Sequence, residues 1–134
     1  MQLSGFRHAG LTVSDLDRSV EWYSRVLGLT EAFREDHSDR TAAILRGGPV
    51  VLGLVRFTTT DRPFSPQNIG LDHLCFAVPD RAALEAAAQH LDSCGVPHSG
   101  VAEMATGPIV NFTDPDGIAL ALAVPPPAPA QTTR

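Results

Sequence analysis

Along the chain, short apolar stretches of strand length alternate with two segments in which apolar residues recur at helical spacing. Phe6–Val13 reads as a strand, ended by Ser14 and Asp15, either of which can cap a following helix. In that helix Leu16, Val20, Tyr23 and Leu27 share one face, while Asp17, Arg18, Glu21 and Arg25 occupy the others. Gly28 stands where a C-terminal glycine belongs, so the helix should stop near Leu27. Thr30–Glu35, Thr41–Arg46 and Val50–Arg56 then read as strands, separated by the polar run Asp36-His37-Ser38-Asp39 and by Gly47-Gly48-Pro49. The order is β-α-β-β-β.

The same order recurs after a breaker-rich stretch. Residues 58–68 hold three threonines and two prolines and read as a linker, taken as about 57–69. Beyond it come a strand at Leu71–Val78, a start signal at Pro79-Asp80 and an alanine-rich helix carrying Leu84, Ala87, Ala88 and Leu91, ended by Gly95. Strands fit Val96–Val101, Pro108–Thr113 and Ile118–Val124, with Asp114-Pro115-Asp116-Gly117 as turn chemistry between the last two. Residue identities repeat as well as elements. His8 is followed by Val13 and Asp15, and His73 at the same distances by Val78 and Asp80. Leu27-Gly28-Leu29 answers Cys94-Gly95-Val96, and Val51-Leu52-Gly53-Leu54 answers Ala119-Leu120-Ala121-Leu122. One domain over 1–124 is therefore expected, with module one at about 6–56 and module two at about 70–124. The Pro-rich residues 125–134 have too little apolar content to pack and are expected to be disordered.

Bulk properties narrow the function. A net charge of −5 and a pI near 5.4 supply no field for a polyanion, so no nucleic-acid partner is expected. The longest apolar runs are strand-length and the N-terminus lacks a basic segment followed by an apolar core, which predicts no membrane partner and a cytoplasmic location. Cys75, in a pattern read as a buried strand, and Cys94, at a helix end, are expected to be reduced thiols.

The segments HAGLTVSDLDRSVEWYSRVLGL, GLDHLCFAV and FTDPDGIALAL, in this order, resemble the vicinal-oxygen-chelate superfamily of glyoxalases, bleomycin-resistance proteins and extradiol dioxygenases, over Phe6 to about Val124. The resemblance implies an α+β fold: tandem βαβββ modules forming a curved eight-stranded mixed sheet around a cavity, helices outside, commonly completed in a homodimer. It also implies a divalent metal held by a histidine on the first strand of each module and a carboxylate or glutamine near each last strand. The histidine positions match His8 and His73. The carboxylate positions fall on Gly53 and Ala121, whose side chains donate nothing.

Two imidazoles alone fall short of a catalytic zinc site or of a two-histidine, one-carboxylate iron centre. The expectation is therefore no cofactor, with a divalent metal on His8 and His73 as the alternative if another donor completes it. Candidates are Asp72, Cys75, Glu103, His37 and His98. Strand alternation puts Cys75 on the face of His73, about 7 Å along, and turns Asp72 away. Replacing charged side chains by Gly53 and Ala121 makes the cavity roomier and more apolar, which suits a small organic molecule. Candidate ligand-binding residues are His8, His73, Gly53, Ala121, Cys75 and the linker-flanking Phe57 and Phe64. Trp22, Phe33 and Phe112 are further candidates for lining the cavity, with core packing the better reading of Trp22 and Phe112, and Asp114 and Asp116 read as turn residues. Alternation leaves Arg34, Arg40, Arg46 and Arg56 solvated or aims one at an anionic ligand. The leading functional reading is a homodimeric protein of the bleomycin-resistance-like type that binds or sequesters a small molecule. The other is a metal-dependent glyoxalase-like lyase or isomerase, or a ring-cleaving dioxygenase, with an unidentified third ligand; a metal-free variant using a histidine for proton transfer, and a regulatory module without a pocket, stay open.

Overall fold

A computed structural model describes residues 1–60 and 62–126, so most of the expected Pro-rich tail, 127–134, lies outside the described residues. The first repeat contains β1 (Ala9–Thr12), α1 (Leu16–Leu27), β2 (Thr30–Asp36), β3 (Arg40–Gly47) and β4 (Val50–Phe57). The second contains β5 (Leu74–Ala77), α2 (Arg81–Ser93), β6 (Ala102–Met104), β7 (Gly107–Thr113) and β8 (Ala119–Ala123). Two helices and eight strands make an α+β fold, the strands lying in two mixed four-stranded sheets ordered β1-β4-β3-β2 and β5-β8-β7-β6. In each sheet the first strand runs parallel to the last and the other pairs are antiparallel. No helix among the described residues is long and apolar enough to cross a membrane.

Two compact units divide the chain: Met1–Phe64 with Asp114–Ile118, and Ser65–Thr113 with Ala119 onward. In the first unit Asp15 caps α1, its carboxylate accepting from the Arg18 N–H at 3.0 Å, and Gly28 at φ 67° closes it in the left-handed region. One side of the sheet presents Leu11, Ala43, Leu45, Leu52 and Leu54, all buried, and α1 covers it with Leu16, Tyr23 and Val26. Each leucine so enclosed contributes roughly 2 kcal/mol by leaving water. Trp22 is buried too, its ring edge-on to Tyr23 at 5.0 Å.

A bulge sets which residues face the other way. Pairing between β2 and β3 shifts between Glu31 and Phe33, so Ala32 is the extra residue. Past it, Phe33 pairs with Ile44 and Arg34 with Ala43. The shift turns Arg34 to the α1 side, where it meets Asp17, and Phe33 to the side without a helix.

In the second unit Asp80 caps α2 by accepting from the Ala83 N–H at 2.8 Å, and α2, with Leu84 and Leu91 buried, packs on β7, where Val110 and Phe112 are buried beside Leu122 and Leu120 of β8. The strand expected at Val96–Val101 is a correction. His98 makes only an isolated bridge with Phe112, and the strand starts at Ala102. Gly100 takes φ 70°, which breaks the extended path, and its N–H donates to His98 Nδ1 at 3.0 Å.

Candidate functional site

Strand register defines the face of the first sheet that α1 leaves open. Side chains of directly paired residues point to the same side, so Gly10, Gly53, Ile44 and Phe33 form one row across all four strands. Thr12, Val55, Ala42 and Glu35 form the next, and Val51, Arg46 and Thr30 the row on the opposite flank. His8 immediately precedes β1, and alternation from Ala9 puts it beside Val51 in that last row. Phe57 ends β4 on the same face, half-buried, with the Arg40 guanidinium 6.0 Å from its ring centre. Phe64, the last residue of the first unit's main segment, is also half-buried.

Gly53 lies in the middle of this face. A Cβ built there would meet Ile44 Cδ1 at 3.5 Å and nothing nearer, an ordinary contact. Space therefore does not forbid a side chain; the sequence simply supplies none.

The two histidines have different partners and offer different atoms. Arg7 Nη1 lies 3.0 Å from His8 Nδ1. A guanidinium only donates, so Nδ1 accepts and a neutral ring carries its proton on Nε2. His8 thus presents an N–H donor. His73 Nδ1 lies 2.6 Å from Asp72 Oδ1, and an ionised carboxylate only accepts. Its Nε2 therefore keeps a lone pair. Asp72 and His73 both precede β5, and the Asp72 carboxylate reaches the ring of its chain neighbour. Cys75 pairs with Ala121 and Ala121 with Asn111, so these three share a face of the second sheet, the one bearing Ile109 and Ala123. Cys75 is exposed rather than in a buried strand, and partial desolvation raises its thiol pKa, so it stays protonated at neutral pH.

The other proposed donors are committed elsewhere. His98 accepts from Gly100 through Nδ1 and reaches Asp92 through Nε2 at 3.0 Å. Glu103 pairs with Arg81, and His37 with Glu35 in the β2–β3 hairpin. Among the described residues no three His, Cys, Asp or Glu side chains gather into a metal-holding group. By donor chemistry the residues at the expected positions do not fit a catalytic divalent ion: one imidazole with a free lone pair, one presenting N–H, and two side chains without donors.

Two features escaped sequence reading. A polar cleft of about 400 Å³ opens on the α1 side of the first sheet, lined by Ser14, Asp15, Asp17, Arg34, Asp36 and Arg56. Its charges are largely spent: Arg34 binds Asp17 and Glu31, Asp15 caps the helix, and Arg56 Nε donates to the Ser14 carbonyl. The other is the role of the Asp114-Pro115-Asp116-Gly117 turn. Asp114 Oδ1 accepts from the N–H groups of Asp116 and Ile118, as a turn residue should, yet its Oδ2 accepts from the buried Tyr23 hydroxyl at 3.0 Å. Asp116 accepts from both the N–H and the hydroxyl of Ser14 and from Arg18. Those partners lie about a hundred residues away in the chain, and no local signal announces them.

Residues 5–122 match the model of the Glyoxalase/Bleomycin resistance protein/Dioxygenase superfamily. The chain belongs to this superfamily. A superfamily domain from Frankia sp. EAN1pec, solved by crystallography, is 32% identical with a TM-score of 0.85, covering 92% of this chain and 99% of that one. Uncharacterized protein YaeR of Escherichia coli K12 is 30% identical over 126 residues, 90% of this chain and 95% of YaeR. Uncharacterized protein YwkD of Bacillus subtilis 168 is 28% identical over 131 residues, 91% of this chain and 98% of YwkD. Superfamily membership accounts for the α+β fold and its repeated order of elements.

Proposed function

We propose that this protein binds and sequesters a small, largely apolar organic molecule without transforming it, as a homodimer of the bleomycin-resistance-like type. One observation carries the reading: the two positions where the superfamily resemblance calls for carboxylate ligands hold Gly53 and Ala121. Loss of those charges leaves strand faces made of Gly10, Gly53, Ile44 and Phe33 in one unit and Cys75, Ala121, Ile109 and Ala123 in the other. Small and apolar residues with a few polar groups at the edge suit an organic ligand. The direct test is metal analysis of protein purified without chelator. Far less than one ion per chain is expected; one Zn, Ni, Mn or Fe per chain, lost on His8→Ala, would overturn the reading. Light scattering should give twice the chain mass.

A second reading draws on the Asp72–His73 contact. An imidazole whose Nδ1 is held by a carboxylate and whose Nε2 is free can act as a general base without a metal. It corresponds to a glyoxalase-like lyase or isomerase, or a ring-cleaving dioxygenase. Turnover of a bound ligand that vanishes in His73→Gln while binding persists would establish it.

A further inference from the structure

We infer that the ligand is an organic anion whose charged group, of the carboxylate class, is held between Arg46 and His8, with its apolar body lying along Gly53 and Ile44. The inference rests on the small-molecule reading above and names the class of molecule.

Four arginines lie on the strands of the first sheet, and the structure separates them. Arg34 is bound by Glu31 and Asp17, Arg40 by Asp39 and the Phe57 ring, and Arg56 by the Ser14 carbonyl. Arg46 engages none of the described residues. It also faces the right way. Arg46 follows Ile44 by two positions on β3, so it shares the side of Gly53, whereas Leu45 between them is fully buried beneath α1.

Arg46 pairs with Val51, and His8 falls beside Val51 on the next strand, so guanidinium and imidazole stand in one row about 10 Å apart at backbone level, two strand spacings. Both side chains are long enough to lean into the gap between them. His8 offers an Nε2–H, fixed by the Arg7 guanidinium at its Nδ1, and Arg7 adds positive charge behind the ring. The charged side chains at this end of the face, Arg46 and Arg7, are positive, and His8 adds an N–H donor. Glu35, the acid on the same face, stands two rows away, roughly 14 Å along the strands, and is occupied by His37. The adjoining row is apolar: Gly10, Gly53, Ile44 and Phe33, the last 47% exposed and on this face only because of the Ala32 bulge. A metal would require the opposite polarity at His8.

A matched pair of probes tests this on the full chain by calorimetry: 1-naphthoate and its neutral isostere 1-naphthamide. Naphthoate should bind about tenfold more tightly, the size of one charge-assisted hydrogen bond, and Arg46→Gln should erase that advantage while leaving naphthamide unchanged. Arg25→Gln, on the outer face of α1, should change neither. Thermal unfolding of Arg46→Gln should match the parent, because the Arg46 side chain makes no hydrogen bond or ion pair among the described residues. Equal binding of the two probes, unaffected by Arg46→Gln, would overturn the anion and leave the apolar strand face as the binding surface. Failure of both probes to bind at millimolar concentration would overturn the pocket reading as well.

Discussion

The Tyr23 hydroxyl donates to Asp114 Oδ2 at 3.0 Å, joining the middle of α1 to a turn that lies 91 residues further along the chain. Both groups are buried, so neither has water to fall back on. Burial, then the nearby Asp114 charge, pushes the tyrosine pKa far up, and the phenol stays protonated as a donor throughout the working range. Tyr23→Phe keeps the ring against Trp22 and removes the donor. It should cost about 1.5–3 kcal/mol, the range for a hydrogen bond to a charged partner. Urea denaturation measures it; a change below about 0.5 kcal/mol would show that Asp114 is satisfied without the phenol.

Asp114 gives that contact a pH signature. Burial raises its carboxyl pKa above 3.8, and the hydrogen bonds from Ile118, Tyr23 and Asp116 only partly offset this. A raised folded-state pKa means the folded chain holds the proton more tightly than the unfolded one. The stability linked to that proton is fully present below the ordinary pKa of 3.8 and is lost as pH rises through the raised value. Relative to Asp114→Asn, the parent should therefore gain stability as pH falls from 7 towards 4. A urea midpoint series at stepped pH would show the trend, and a slope of opposite sign would refute it.

Ser19 sits fully buried in α1 with its hydroxyl unpartnered among the described residues. Ser19→Ala removes a desolvated polar atom without changing packing volume much and improves helix propensity. The variant should be more stable by about 1 kcal/mol, read as a higher unfolding midpoint at unchanged m-value. A loss of stability would mean the hydroxyl has a partner after all, such as a bridging water.

Restoring the donors should restore an ion. The double substitution Gly53→Glu, Ala121→Glu adds two carboxylates at the positions where the superfamily resemblance puts them, and the nearest atom to a Cβ at Gly53 is 3.5 Å away. The variant should take up Zn²⁺ or Ni²⁺ and gain thermal stability when either is added, as linkage requires. If it folds and gains nothing from the ions, then missing carboxylates are not what separates this chain from metal-binding relatives.

The helices and seven of the eight strands were legible because hydrophobic period and punctuation agree: Asp15 and Gly28 bracket α1, and Asp80 opens α2. At Val96–Val101 the apolar residues Val96 and Val101 suggest a strand, yet Gly100 bends the chain and His98 spends its ring on Asp92 and on the Gly100 N–H. β5 is shorter than its apolar pattern, Leu74–Ala77 instead of Leu71–Val78, because its parallel partner β8 offers pairing only from Ala119 to Ala123. Within the site, Gly53 and Ala121 could be found through the repeat. The tautomer of His8 could not, since it depends on which way Arg7 folds, nor could the lack of a side-chain partner for Arg46 among the described residues, which depends on where three other arginines found acids, a ring or a carbonyl. Alternation fixes sides; it does not fix partners.

Duplication produced two modules that no longer match the seam in the sequence. Five residues of the second copy, Asp114–Ile118, belong with the first unit, where they hold Ser14, Arg18 and Tyr23. A gene split at the linker would strand a phenol and a helix entrance on one fragment and their acceptors on the other.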